Sequence, residues 1–554
     1  MHGRDEAPLP LPGGTLKQWT TTWEMIMNIL LIRPKSPPGI HGLSEGLRWW
    51  RADALTPPHQ EAVLAALTPE DISSTIADVQ AGDPVPFDQD ARLAVFVADF
   101  DQVPGLRYLY GRLRAAGTPV AAGGPMPSAL PQEVAFADTV LVGDLEALWP
   151  RLIDAVRAGP PYPDRIRADQ PLRLADLPPP DWSGVNLRRY RLGVVSVARR
   201  VHPGDAPAKT STAALSFRTP DQVTEELKTL LDHGVRRARL LTPDILAEEE
   251  VASEILETLA KFHRDHPPGL RLEARCDARH VTARAAARLS HAGVTRVDLT
   301  LPCGEGDGAD TLNQALEAVR TLRGEGLIVR TDATLDADDP MGACDLLAGS
   351  LDDLRAPVAL RAARVYPGTD RWKQAENADR LIRGSKDLPY KRQVFDTPNV
   401  RPRKGSLETL QQRIRELLLD LASADQILKR LRALAQEARN VPATARMPFL
   451  EDLEATVRML LGALDNPGEQ RVRLTARALL ALVAARPATG IWTQALDALL
   501  DEVANRSLVL KTAEGRKLEV ETPPRSLKER AIGAMGRLMG ALAAARTSAP
   551  TSTR

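Results

Sequence analysis

The chain has 554 residues with 72 basic and 72 acidic side chains, a formal net charge of zero. Apolar residues make up 43%, charged residues 26% and aromatics only 4%. This describes a soluble multidomain protein and argues against the basic face or base-stacking surface of a nucleic-acid binder. No apolar run approaches the roughly 20 residues that span a bilayer, and three cysteines make no disulfide framework, so the expected location is cytoplasmic.

Residues 1–26 are rich in Pro and Gly and read as a flexible leader without signal-peptide character. Met27 opens the first buried-strand pattern, which ends in the loop-forming run Arg33 to Gly39. Further strands are expected at Ile72 to Val79, Leu93 to Val97, Pro119 to Ala122 and Thr139 to Val142, with helices from Val103 to Ala116 and from about Gly143 to Arg157. Such alternation predicts a doubly wound parallel sheet over residues 27–158, with its ligand edge at the strand carboxyl ends. The stretch from His41 to Leu67 reads as irregular, with Trp49 and Trp50 able to fill space at that edge. Residues 159–190, with three consecutive prolines from Pro178, read as a linker of little regular structure.

A second βα array follows over residues 191–375. Strands are expected at 192–198, 236–242, 270–276, 295–301, 327–333 and 357–363, and helices at 220–233, 247–265, 282–292 and 310–324. Ser216 to Leu227 reads as the start of the first of these helices. Six such units make a partial barrel. From about residue 405 the pattern is helical: Leu407 to Leu421, Ile427 to Ala438, Leu450 to Leu464, Arg471 to Ala485 and Thr493 to Val503. Leu508 to Val520 reads as a small hairpin, and the last residues as disordered.

Several motifs carry a family likeness. The run from Met27 to Pro38, the Gly123-Gly124-Pro125 turn and the Gly143-Asp144 turn resemble the loops of a cobalamin-binding domain. Leu192 to Lys209, leading to Ser216, resembles the first barrel strand and cluster loop of radical S-adenosylmethionine (SAM) proteins. Val394 to Pro402, followed by Ser406 to Leu410, resembles a C-terminal element of a subgroup that modifies hopanoids and porphyrins. The chain thus resembles the radical SAM family with an N-terminal cobalamin-binding domain, over roughly residues 27–435. The resemblance implies an α/β fold: a Rossmann-like B12-binding-type domain, a partial (βα)6 TIM barrel, a family-type element over 376–440 and a helical extension over 441–554.

The same resemblance implies cobalamin, a 4Fe–4S cluster and SAM as cofactors. The family loop reads Arg-Gly-Cys-Pro-x-x-Cys-x-x-Cys, and this chain has His202, Ala206 and Lys209 where the three cluster cysteines belong. The expectation is therefore a degenerate member with no metal site of the standard kind, acting as a binding or regulatory subunit. Its partner would be an active radical SAM homologue, or its ligand a hydrophobic or tetrapyrrole-like molecule. The alternative is a cobalamin-dependent radical SAM enzyme, of methyltransferase or cyclase type, with non-standard ligation.

Individual residues divide the same way. Cobalamin, if bound, is expected near Pro34, Ser36, Gly123, Gly124 and Gly143, where glycine lets a backbone approach a ligand. His202 reads as a loop histidine, and Cys276 and Cys303 as small buried hydrophobes rather than cluster ligands. The glycine-rich loop from Cys303 to Gly308 reads as solvated, since Glu305 and Asp307 repel phosphate. Only one acid, Asp244, follows the second barrel strand. Arg361, Arg364 and the turn Tyr366 to Thr369 end the last one, with Arg364 a candidate contact for a carboxylate.

Overall fold

The computed structural model describes residues 27–36, 46–88, 91–99, 102–168, 172–200, 215–267, 269–301, 309–335, 338–362, 365, 370–382, 398–437, 474–475, 477–481 and 489–513. The first layer is a six-stranded parallel sheet of β1 (Met27–Arg33), β2 (Ile72–Asp78), β3 (Leu93–Val97), β4 (Val120–Gly123), β5 (Thr139–Val142) and β6 (Arg165–Arg167). The strand order is β2-β1-β3-β4-β5-β6. Ile29 to Ile32 and Leu93 to Phe96 are fully buried, as parallel strands covered on both faces must be. After a short helix, α1 (Leu47–Trp50), the helices α2 (His59–Ala66), α3 (Val103–Ala115), α4 (Pro125–Ala129) and α5 (Leu145–Ala158) flank it. Two expectations change here. The linker contributes β6 to the sheet edge, because Ile166 has an apolar pocket against α5. The segment read as irregular holds α1 and α2, whose Val63 and Leu64 are buried.

The second sheet is also six-stranded and parallel: β7 (Gly193–Ser196), then, past a short antiparallel pair of β8 (Ala198–Arg200) and β9 (Leu215–Phe217), β10 (Arg237–Leu241), β11 (Arg271–Asp277), β12 (Val294–Leu301), β13 (Ile328–Leu335) and β14 (Val358–Ala362). Its order is β14-β13-β12-β11-β10-β7. Helices α6 (Pro220–Asp232), α7 (Glu249–Asp265), α8 (Ala283–His291), α9 (Ala309–Gly324) and α10 (Pro340–Leu354) cover the outside. Residues 215–217 are strand rather than helix. The helix begins only at Pro220, where Thr219 and Gln222 form a reciprocal capping box.

Past the barrel come α11 (Asp370–Asn377), α12 (Leu407–Leu421), α13 (Ala424–Glu437) and α14 (Thr489–Ala513). The hairpin expected from Leu508 is replaced, through Ala513, by the end of α14; Leu508 and Val509 stay helical because both are buried against the barrel's core. Trp49 packs into the cluster built by α13 and α14, and Arg191 lies over the Trp50 ring at 4.4 Å, so these rings face the helical region rather than a ligand edge. Among the described residues no helix is long and apolar enough to cross a membrane.

The two sheets are joined at a polar hinge. Tyr190 Oη donates to the buried Asp78 Oδ2 at 2.8 Å, and Arg189 pairs with Asp53 at 2.7 Å and with Asp83.

Candidate functional site

Alternation along the barrel strands sorts the side chains by chemistry. On β11, Leu272, Ala274 and Cys276 turn out into the apolar layer under the helices, while Arg271, Glu273, Arg275 and Asp277 take the other face. The same pattern gives Arg296 and Asp298 on β12, and Arg330 and Asp332 on β13. The inner face is therefore charged, and it closes on itself. Arg239 Nη2 donates to Glu273 Oε2 at 2.6 Å, and Arg330 clasps Asp298 at 2.8 and 2.6 Å. Asp332 accepts from Arg361 on β14 at 2.8 Å and from Arg275 on β11, two strands away on the other side, which shows how tightly the sheet curls. Burial alone would raise the carboxyls of Glu273 and Asp298. The guanidiniums of Arg239, Arg296 and Arg330 outweigh it and hold both below the usual carboxylate range.

At the strand amino ends the barrel is shut by α14. Asp497 accepts from Arg191, Arg237 and Arg296 at 2.8, 2.9 and 2.9 Å, and Asp501 pairs with Arg296. At the carboxyl ends it opens instead into a cavity of about 710 Å³. The opposite wall belongs to the first sheet: Gly124 and Ser128 after β4, Gly143 after β5, and Asp144 and Glu146 at the start of α5, with His59 of α2 beside them. The carboxyl-end edges of both sheets thus face one space.

This wall is electrostatically structured too. Arg199 donates to Glu146 at 2.8 Å and lies 3.9 Å from Asp144. Arg218, almost wholly buried, donates to the carbonyls of Leu177 and Pro178 and pairs with Glu226 at 3.3 Å. Glu226 is pushed up to about 7, by burial first, although the Ser196 N–H and Arg218 oppose the rise. His59 falls to about 3, through burial and then the nearby Arg218 and Arg199, so its imidazole is neutral. His59 Nε2, Glu146 Oε2, Arg218 Nε and Thr242 Oγ1 are sealed from solvent without a hydrogen-bond partner among the described residues. A mixed set of donors and acceptors around a cavity suits a polar ligand.

The residues expected to hold cobalamin do not gather at one place. Gly124 and Gly143 line the cavity. Pro34 and Ser36 lie at the end of β1, where Gln102 Nε2 donates to Pro34 O at 2.9 Å and to Ser36 Oγ at 3.0 Å, and Ser36 N–H donates to Gln80 at 2.7 Å. Glycine is required for local reasons. A Cβ at Gly123 would meet Leu145 Cδ2 at 2.2 Å, and one at Gly124, φ +108°, would meet Ala98 O at 2.8 Å. At Gly143, φ +119°, it would meet Ala168 Cβ at 2.7 Å. Ser128 Oγ ties the two turns, donating to Gly124 O at 2.8 Å and accepting from Gly143 N–H at 3.0 Å. The donor set fits the amide fringe of a corrinoid. The volume suits a drug-sized molecule, so a whole cobalamin would extend past these walls.

His202, Ala206 and Lys209 lie outside the described residues, as do Cys303 and its glycine-rich loop, Arg364 and the Tyr366 to Thr369 turn. Cys276 and Cys344 are fully buried in the core between the barrel and its helices, and burial pushes the Cys276 thiol far up. Asp244 is engaged by the Leu246 N–H at 2.9 Å and the His280 ring at 2.6 Å. Within the C-terminal motif, Asn399 clamps the backbone of Val365 just past β14, accepting from its N–H at 3.0 Å and donating to its carbonyl at 2.8 Å. Reasoning from sequence missed His59, Glu146, Arg199, Arg218 and the charged barrel lining. For the last a signal was present: charged and apolar residues alternate in Arg271 to Asp277 and in Arg296 to Thr300.

No family model matches the chain. A hopanoid C-2 methylase from Rhodopseudomonas palustris (strain TIE-1) is 22% identical over 350 residues, 59% of this chain and 66% of that protein, so the match spans just under two thirds of the relative. The radical SAM methyltransferase TsrM from Kitasatospora setae, solved with cobalamin and a 4Fe–4S cluster, superposes with a TM-score of 0.51 at 16% identity, covering 83% of this chain and all but 1% of that one at 99%. Apo OxsB, a cobalamin-dependent SAM radical enzyme, gives 0.50 at 11% identity, covering 94% and 84%. The chain is similar in sequence to a hopanoid methylase and has the fold of the cobalamin-dependent radical SAM proteins.

Proposed function

We propose that this chain is a corrinoid-binding protein built on the cobalamin radical SAM fold and working without a standard 4Fe–4S cluster. The observation that carries this reading is the placement of sulfur. The chain has three cysteines. Two of them, Cys276 and Cys344, sit in the apolar layer outside the barrel, which argues against three thiolates at its mouth. What the mouth offers instead is a walled polar cavity shared with the first sheet. A corrinoid is the ligand proposed for it, with Gly124, Gly143, Ser128, His59 and Glu146 on the side that would receive it. Bound there, it would supply a methyl carrier.

A second reading is a cobalamin-dependent radical SAM enzyme with unusual cluster ligation, and the methyltransferase character of the relatives favours it. Anaerobic purification with iron, sulfide and hydroxocobalamin separates the two. The proposal expects a cobalamin spectrum without stoichiometric iron. Four irons per chain would establish the second reading, and a protein that takes up neither would remove both.

A further inference from the structure

Two helices on the outside of the molecule each present charge of one sign. The first, α3, holds three arginines and no acid. Its Leu106, Leu109 and Leu113 pack into the core against the first sheet, while Arg107, Tyr108, Arg112 and Arg114 turn outward and are exposed. Tyr108 is the large apolar side chain most open to solvent among the described residues, at 63%. The arginines are laid on rings: Arg112 lies over Phe87 at 4.6 Å and donates to Tyr108 Oη at 3.2 Å, and Arg107 lies over Phe136 at 5.9 Å. At the margin, Glu133 meets Arg107 at 3.7 Å and Asp138 attracts Arg114. The face is a basic patch with an aromatic centre, and its side chains are partly ordered before anything binds.

The second helix, α7, is the opposite. Glu248, Glu249, Glu250, Glu254 and Glu257 are exposed and precede its first cation, Lys261. None of the five carboxylates pairs with a cation among the described residues, although Arg288 of α8 comes close enough to bond Ser253. The helix dipole accounts for acids in the first turn, but Glu254 and Glu257 lie beyond it. Glu250, Glu254 and Glu257 fall on one face, and like charges at that spacing weaken a bare helix. A cationic surface laid against them is stabilising.

We propose that the outer face of α3 is a self-association surface, which takes the glutamate face of α7 on a second copy of this chain. The contact is heterologous, since each copy offers one face and leaves the other open. Tyr108 supplies the apolar centre and the arginines the charged surround; Tyr and Arg are the residues enriched at the middle of protein interfaces. Gly111 lies between them, and nothing comes within 4 Å of the place a Cβ would take, so a second helix has room to approach. The net charge of zero removes the general repulsion between copies that would oppose the contact. None of this depends on what the cavity holds.

The test is sedimentation velocity of the full chain over a concentration series. At low salt the wild type should associate reversibly, and about 0.5 M NaCl should weaken the association about tenfold or more. Tyr108→Ala should weaken it about tenfold and leave the salt dependence unchanged. Arg107→Glu with Arg112→Glu sets acid against acid, and Glu250→Lys with Glu254→Lys and Glu257→Lys sets base against base. Each variant alone should associate at least about tenfold more weakly than the wild type. An equimolar mixture of the two should associate one to one, because α7 of the first then meets α3 of the second. Recovery on mixing also shows that both variants kept their fold. If a reversal variant does not fold, Arg112→Gln and Glu254→Gln replace it, and association equal to the wild type in both overturns the inference. A wild type that stays monomeric at low salt overturns it too; if polyglutamate then binds the wild type and not Arg112→Gln, the face belongs to a different acidic partner. Association that survives both reversals lies elsewhere on the molecule, and that result also overturns the inference.

Discussion

Asp497 Oδ2 accepts a hydrogen bond from Arg237 Nη1 at 2.9 Å, across 260 residues of sequence. Arg237 opens the second strand of the barrel and Asp497 lies on the last described helix. The contact therefore makes the C-terminal region part of the barrel rather than an appendage to it. Asp497 also holds Arg191 and Arg296, and these cations with Arg271 draw its carboxyl far below the usual range against the opposing effect of burial.

Replacing Asp497 by Asn leaves Arg191, Arg237 and Arg296 buried with their main counter-charge gone. Breaking one partner out of a buried ion cluster costs about 3–5 kcal/mol. Urea unfolding of Asp497→Asn should show a loss of that order, larger than for an exposed pair such as Lys429 with Asp352, which solvent screens and whose loss should be small. Equal effects for the two would show that the plug contributes nothing to the barrel.

Cys276 and Cys344 should not react in the native state. Both side chains are fully buried, and Cys276 is kept protonated by burial and by the neighbouring carboxylates of Asp244, Asp277 and Asp298. Iodoacetamide followed by peptide mass spectrometry should find both unmodified until denaturant is added. Rapid native labelling of Cys276 would contradict its place in the core and reopen it as a metal ligand.

Both sheets were legible in the sequence because parallel strands covered on both faces, or on one face with charge on the other, leave strong patterns: Ile29 to Ile32 is one kind, Arg271 to Asp277 the other. The strand ends and the order of βα units followed from spacing. The cavity was not legible, because His59, Glu146, Arg199 and Arg218 come from four separate segments, and only the folded chain brings them to one space. The charges of the barrel were visible, yet nothing local says that Asp332 meets Arg275 from two strands away. The same holds for Asp497, whose partners lie beyond the reach of any helical pattern. Glycine marked turns where neighbouring backbone and side chains already forbid a Cβ, whatever ligand the edge takes.

Gly124→Ala should therefore destabilise the protein whether or not a ligand is present. The backbone sits at φ +108°, and the new Cβ would meet Ala98 O at 2.8 Å and Ala98 N at 3.0 Å. Strain of this kind costs about 1–3 kcal/mol. Thermal unfolding of the variant without added ligand should show the loss. Stability equal to the wild type in the absence of ligand, with reduced ligand binding, would return Gly124 to a direct ligand role.

The last prediction concerns pH. Glu61 on α2 is buried close to the polar hinge, and its carboxyl is pushed from an ordinary 4.5 up to about 7. Burial is the largest cause; Arg33 and the local backbone oppose it, and Asp78 adds to it. The native state thus holds this proton more tightly than the unfolded chain does. The stability it contributes is complete below pH 4.5 and is lost as pH rises through about 7. Over that window one proton corresponds to about 1.4 kcal/mol per pH unit. Glu226, raised to about 7 by its own burial, acts in the same direction, whereas the lowered His59 acts in the opposite direction below pH 6.5. The difference between wild type and Glu61→Gln removes those shared contributions. Denaturant unfolding at pH 5, 6, 7 and 8 should show the Gln variant gaining on the wild type as pH rises, by about 2–3 kcal/mol across the window. A difference that stays constant with pH would mean that Glu61 is ionised in the folded protein, with Arg33 outweighing the cost of its burial.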